Sequence, residues 1–127
     1  MSARSKARKR ALDAIFQADL NNKPIIDIQE DTDSEDKKYS DTLIQGIKEN
    51  QVQIDSLIAD SLTNWTIDRI PRVDRNILRV AVYELLFQKD VPTNVVISEA
   101  VKLAEDLSTD DSASFVNGTL ASIVKKI

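Results

Sequence analysis

The sequence predicts an all-α fold, and three observations carry that prediction. Glycine and proline are scarce, with two glycines and three prolines in 127 residues. Sheets need tight reversals and those usually need glycine, so the scarcity favours long helices joined by few turns. Apolar residues recur at three- and four-residue spacing along several stretches, and one further stretch is apolar nearly all round. The expected architecture is a compact bundle of about five long helices plus one or two short ones, forming one domain over residues 1–127.

The first helix is expected over residues 3–20, with Ala11, Leu12, Ile15, Phe16 and Leu20 spaced for one face. Residues 21–38 lose the pattern. Pro24 cannot continue a helix, and Asp27, Glu30, Asp31, Asp33, Glu35 and Asp36 form an acidic run. This stretch reads as a loop with one helical turn at its centre. A second helix, about 39–62, carries Leu43, Ile47, Ile54, Leu57, Ile58 and Leu62 at helical spacing. Trp65, expected in the core, opens a short segment that Pro71 ends.

Between Ile77 and Phe87 only Arg79 and Glu84 are not apolar or aromatic. A helix apolar nearly all round is buried, so residues 73–87 should be the central element, with both charges at its one exposed edge. Asp90-Val91-Pro92 ends it. A fourth helix, about 93–107, places Ile97, Ala100, Val101, Ala104 and Leu107 on one side. The last, about 110–126, opens on Asp110 and Asp111 and closes on Lys125 and Lys126, as the helix dipole favours. Within it Val116, Leu120, Ile123 and Ile127 define the core stripe. Phe115 belongs to a different row, with Thr119, Ser122 and Lys126. An aromatic on a polar row could stack an unpaired base or pack beneath the preceding loop. Gly118, which costs about 1 kcal/mol in a helix interior relative to alanine, is expected to let another helix approach closely.

Cysteine and histidine are both absent. Disulfides, thiolate nucleophiles, the usual zinc ligands and the commonest general base go with them. No Asp/Glu spacing resembles a calcium loop, and two glycines cannot make a phosphate-cradling loop. The composition points away from an enzyme and implies no cofactor. Apolar runs are too short for a bilayer span and no secretory pattern is present, so the expectation is a cytoplasmic protein.

Net charge is −4, unevenly placed. Residues 1–10 carry Arg4, Lys6, Arg8, Lys9 and Arg10 with no acid, while the remainder holds 12 basic and 21 acidic residues. A basic arm for a polyanion and a plain solubilising terminus both fit. The cations fall in the first two turns of a helix, where the dipole disfavours them, which favours a functional reason. An arm neutralising about four phosphates would give log affinity a slope of roughly −3 against log salt on single strands.

The stretch Arg72-Val-Asp-Arg-Asn-Ile-Leu-Arg-Val-Ala-Val-Tyr-Glu-Leu-Leu86, then Asp90-Val-Pro92, Glu99-Ala-Val-Lys-Leu-Ala104 and Phe115-Val-Asn-Gly118 follow one another in this order. Upstream stand Lys6-Ala-Arg-Lys-Arg-Ala-Leu12 and Ile15-Phe16-Gln17. Together they resemble the NusB family of bacterial transcription antitermination factors, closest over 72–118 and loosest over 21–41. The resemblance implies an all-helical fold of two small packed subdomains and a NusB-like RNA-binding domain. It implies binding to boxA-type single-stranded leader RNA jointly with the ribosomal small-subunit protein NusE. It also implies joining the RNA polymerase elongation complex in support of ribosomal RNA synthesis. Carried to this sequence, it assigns RNA contact to Arg4, Lys6, Arg8, Lys9, Arg10, Asp111 and Phe115. It assigns partner contact to Phe16, Asp74 and Asp111. A helix-stabilising role accounts for Asp74 and Asp111 as well, since each opens a helix.

Two departures remove expected RNA contacts: Ala113 and Ser114 stand where the family often has a basic or histidine residue, and Thr93 where it often has an aromatic. The alternatives are an RNA-binding domain like the N-terminal domain of certain ribosomal RNA cytosine methyltransferases, or a protein adaptor whose acidic body binds basic ribosomal proteins. Monomer and homodimer both remain open.

Overall fold

The computed structural model describes residues 2–25, 34–63 and 65–127. Among the described residues the regular structure is five α-helices and one 3-10 turn, with no strand. They are α1 (Ala3–Leu20), α2 (Glu35–Asp60), the 3-10 turn Ile67–Arg69, α3 (Arg72–Phe87), α4 (Thr93–Leu107) and α5 (Asp110–Val124). None of these helices is long and apolar enough to cross a membrane.

Local chemistry sets the boundaries. Ser2 caps α1 by accepting the Ser5 N–H at 3.0 Å. Past its other end, Asn22 takes a left-handed φ of 51°, which asparagine tolerates better than most residues. Ser34 caps α2 and puts Glu35 and Asp36 in the first turn, where the dipole favours acids. The second helix therefore starts four residues earlier than its apolar spacing suggests. It kinks at Asn50 (φ −117°, ψ 17°), whose side-chain amide donates to the Gly46 carbonyl at 2.8 Å. The helical turn expected inside the acidic loop lies outside the described residues. Thr109 caps α5 by accepting the Ser112 N–H.

As expected, α3 is central. It packs against the α1–α2 pair and against the α4–α5 pair. Ile77, Leu78 and Val82 are fully enclosed, and Val80 and Ala81 nearly so. Four local expectations need correction. Arg79 and Glu84 sit at no exposed edge; they are buried, at 8% and 1% exposure, and survive there because each is ion-paired. Trp65 is not core but 59% exposed, and Ile127 leaves the core stripe at 50% exposed. Gly118 admits no neighbouring helix, for a Cβ there would meet nothing within 4 Å. The close approach is at Gly46 instead, where a Cβ would run into the ring of Tyr83.

One ion cluster stitches α1, α2 and α3 together. Arg75 pairs with Asp19 through two nitrogens, and Asn76 donates to the same carboxylate at 2.8 Å. Arg79 reaches Asp19 at 3.3 Å and grips Asp55 of α2 in a two-point pair at 2.8 and 3.0 Å. Burial pushes the Asp19 carboxyl up, but the bonds from Arg75 and Asn76 and the charges of Arg75 and Arg79 outweigh it and hold it below the ordinary value of 3.8. A depressed folded-state pKa contributes stability above the unfolded value and loses it as pH falls through the folded one. Unfolding titrated from pH 5 downward should therefore show a destabilising limb below about pH 4 that is shallower in Asp19→Asn. An identical acid limb in that variant would contradict the role given to Asp19.

Candidate nucleic-acid interface

Arg4, Lys6, Arg8, Lys9 and Arg10 all lie on α1, so their charges divide by helix face. Arg4 and Arg8, four residues apart, project from one side of α1 toward the body. Lys6 and Lys9 project outward and are exposed; Arg10 is half-buried, and its charge reaches Asp36 on α2.

Arg8 is therefore a correction to the expected phosphate contacts. It is 3% exposed, and its guanidinium clasps Glu84 of α3 with Nε at 2.8 Å and Nη2 at 2.9 Å. The Tyr39 hydroxyl on α2 donates to the same carboxylate at 2.6 Å. Burial and that bond push the Tyr39 phenol well above its ordinary value, so it stays a protonated donor. Glu99 of α4 stands 3.6 Å from Arg8 and accepts the Ser5 hydroxyl at 2.7 Å. One buried carboxylate thus gathers α1, α2 and α3, and Glu99 adds α4. The charge of Arg8 is consumed in holding the arm rather than offered to a ligand.

Arg4 lies one turn further out. Its guanidinium sits 4.4 Å over the Tyr39 ring and pairs with Asp90, in the α3–α4 connection, at 3.0 Å. Beside it runs an open groove of about 550 Å³ between the starts of α1, α2 and α4. A second groove, of about 850 Å³, lies between α4 and α5 and includes Asn94, Ser98, Ser114 and Asn117.

Phe115 lines neither groove. It is half-buried and packs against the core, and Thr119, next on its row, is buried at 6%. The row is thus less polar in the fold than in the sequence. Asp111 is exposed in the first turn of α5. Asp74, expected to face a partner, is 2% exposed. Its carboxylate accepts the hydroxyls of Ser108 at 3.1 Å and Ser112 at 2.9 Å, which anchors the start of α5 on α3. Burial removes it from direct contact with any partner. Phe16 is half-buried on α1. Leu20, one turn on, is 48% exposed. Arg75 bridges from Asp19 to the Ile67 carbonyl, so this end of α1 lies beside the turn that follows exposed Trp65. Among the described residues no cluster of three His, Cys, Asp or Glu could hold a metal ion.

Sequence reasoning missed Tyr39 and Asp90, the two residues that fix Arg4. Tyr39 carried a signal, as the one aromatic in the first turns of α2. The role of Asp90 depends on a contact 86 residues away along the chain.

A sequence model of the NusB family matches residues 5–125. The chain belongs to the NusB family. A transcription antitermination protein NusB from Acidothermus cellulolyticus is 49% identical, over 97% of this chain and 88% of its own length. One from Nocardioides is 47% identical, over 98% of this chain and 96% of its own. Among solved structures, a T. maritima NusB superposes with a TM-score of 0.90 at 38% identity, covering 99% of this chain and 93% of that one. A structure of antitermination factors NusB and NusE in complex with dsRNA gives 0.87 at 28% identity, covering 100% and 99%. The family is one of antitermination factors and not of enzymes.

Proposed function

We propose that this protein is a cytoplasmic transcription antitermination factor that binds boxA-type single-stranded leader RNA together with the ribosomal protein NusE. The assembly joins the RNA polymerase elongation complex and supports ribosomal RNA synthesis. The observation that carries this reading is the arm of α1 in a NusB-family chain: a basic helix end on an acidic body, clamped by Arg8 and Glu84 so that Lys6 and Lys9 stand in solvent. Lys6 and Lys9 take the phosphates, while Arg10 beside them is drawn toward Asp36. Asp111 and Phe115, on the flank of α5 away from the second groove, supply a further contact. NusE docks on the end of α1 that carries half-buried Phe16 and exposed Leu20, beside the turn that follows exposed Trp65, since exposed apolar side chains mark protein interfaces. Asp74 contributes indirectly, by fixing the start of α5.

The arm is tested by salt. With Arg8 buried, Arg4 held by Asp90 and Arg10 drawn toward Asp36, Lys6 and Lys9 remain in solvent, so log affinity should fall with log salt at a slope of about −1.4 on single strands. Substituting Lys6 and Lys9 together by alanine should bring the slope close to zero. An unchanged slope in that variant would sink the assignment. A duplex competitor belongs in the same experiment, because a related complex holds dsRNA; stronger competition by duplex than by single strand would replace the single-strand reading.

A further inference from the structure

We infer that Arg4 is a stacking platform for a nucleobase and not a phosphate ligand, and that the groove beside it is a base-binding subsite. This rests on the RNA-binding reading above and specifies how one part of that site works. The guanidinium plane is held from two directions. Tyr39 lies beneath it at 4.4 Å, and Asp90 fixes one edge at 3.0 Å. Tyr39 is itself fixed, through its hydroxyl, by Glu84 at 2.6 Å. The platform is thus built on the same buried carboxylate that clamps Arg8, while the Arg4 side chain remains 44% exposed.

Charge decides between base and phosphate. Asp90 already compensates Arg4, and the groove is lined by three cations (Arg4, Arg8, Lys38) and three carboxylates (Glu35, Asp90, Glu99). A phosphate entering it would meet as many like charges as opposite ones and lose its hydration. A neutral base suffers no such repulsion. What Arg4 still offers is its outer π-face, a surface on which unpaired bases stack. Pro92 and Val95 form apolar walls, and Lys38 and Thr42 offer polar atoms to a base edge. The volume of about 550 Å³ lies within the range of small-ligand clefts, roughly 300–1,000 Å³.

The test is Arg4→Lys, which keeps the charge and removes the plane. Short single-stranded RNAs of boxA type, each with 2-aminopurine at one position in turn, are titrated with wild type, Arg4→Lys and Phe115→Ala. In wild type, one position should be quenched on binding by stacking. In Arg4→Lys that quench should disappear and affinity should fall about tenfold, in the range for one stacked base, with the salt slope unchanged. Melting should hardly move, because Arg4 is exposed. A phosphate ligand behaves differently: lysine substitutes well, so affinity and quench persist in Arg4→Lys, and that result overturns the inference. Loss of the quench in Phe115→Ala with retention in Arg4→Lys overturns it as well and places the base on α5. Failure of the wild type to bind any of these RNAs would count against the proposed function itself, whereas tight binding by Arg4→Lys counts against the platform alone.

Discussion

Glu84→Ala should lower the melting temperature by about 10–20 °C. The Glu84 carboxylate is 1% exposed and accepts two bonds from Arg8 and one from Tyr39. Its removal leaves a buried guanidinium without its main counter-ion and a buried hydroxyl without an acceptor. Breaking a buried pair by removing one partner costs about 3–5 kcal/mol, because the charge left behind keeps its desolvation penalty. At this chain length each kcal/mol is worth on the order of 4 °C. Arg4→Ala is the contrast. Its pair with Asp90 is 44% and 61% exposed, and such pairs contribute about 0.2–1 kcal/mol, so melting should barely change.

Replacing the whole buried set separates stability from binding. Arg8→Met, Tyr39→Phe and Glu84→Leu together remove every member of the triad and leave apolar side chains in its place. Most of the lost stability should return, since a buried pair often does no better than well-packed apolar residues. Net charge is unchanged and the aromatic face under Arg4 is kept. Because Arg8 contacts no phosphate in this account, the triple variant should retain the wild-type salt slope. A folded triple variant whose slope is shallower by about 0.7, the value of one phosphate contact on a single strand, would return Arg8 to the RNA site.

What the sequence disclosed about the fold was whatever periodicity encodes. The helices expected over 73–87 and 93–107 became α3 (Arg72–Phe87) and α4 (Thr93–Leu107), the first one residue longer at its start, because Pro71 and Pro92 immediately precede them. The start of α2 was readable in principle: Ser34 followed by Glu35 and Asp36 is a cap with acids in the first turn. It was hidden because an acidic run also suits a loop. The site was less legible, for a physical reason. Periodicity says which side of a helix faces inward, but it does not say which charge across the core meets it. Arg8 and Glu84 are 76 residues apart, and each alone reads as a surface residue. Asp74 likewise reads as a first-turn acid, and only the fold brings Ser108 and Ser112 to it. Trp65 misled in the opposite direction, since tryptophan is most often buried and here stands 59% exposed at one end of the bundle.

The second large effect is the coupling between RNA and protein partner. Outside the arm the chain holds 12 basic and 21 acidic residues, a balance of −9. That body repels RNA wherever the arm does not cover it. A basic ribosomal protein docked at the Phe16, Leu20 and Trp65 end would offset part of this field and could extend the RNA track. Linked binding of this kind is worth about 1–3 kcal/mol, or roughly 5–150-fold, and must be reciprocal. The direct measurement is a titration of labelled boxA-type single-stranded RNA with this protein, with and without saturating NusE, at one fixed salt concentration. The prediction is affinity at least about fivefold tighter with NusE present, and the same factor when NusE is titrated with and without RNA. Equal RNA affinity in the two titrations would contradict the joint binding on which the proposed function rests.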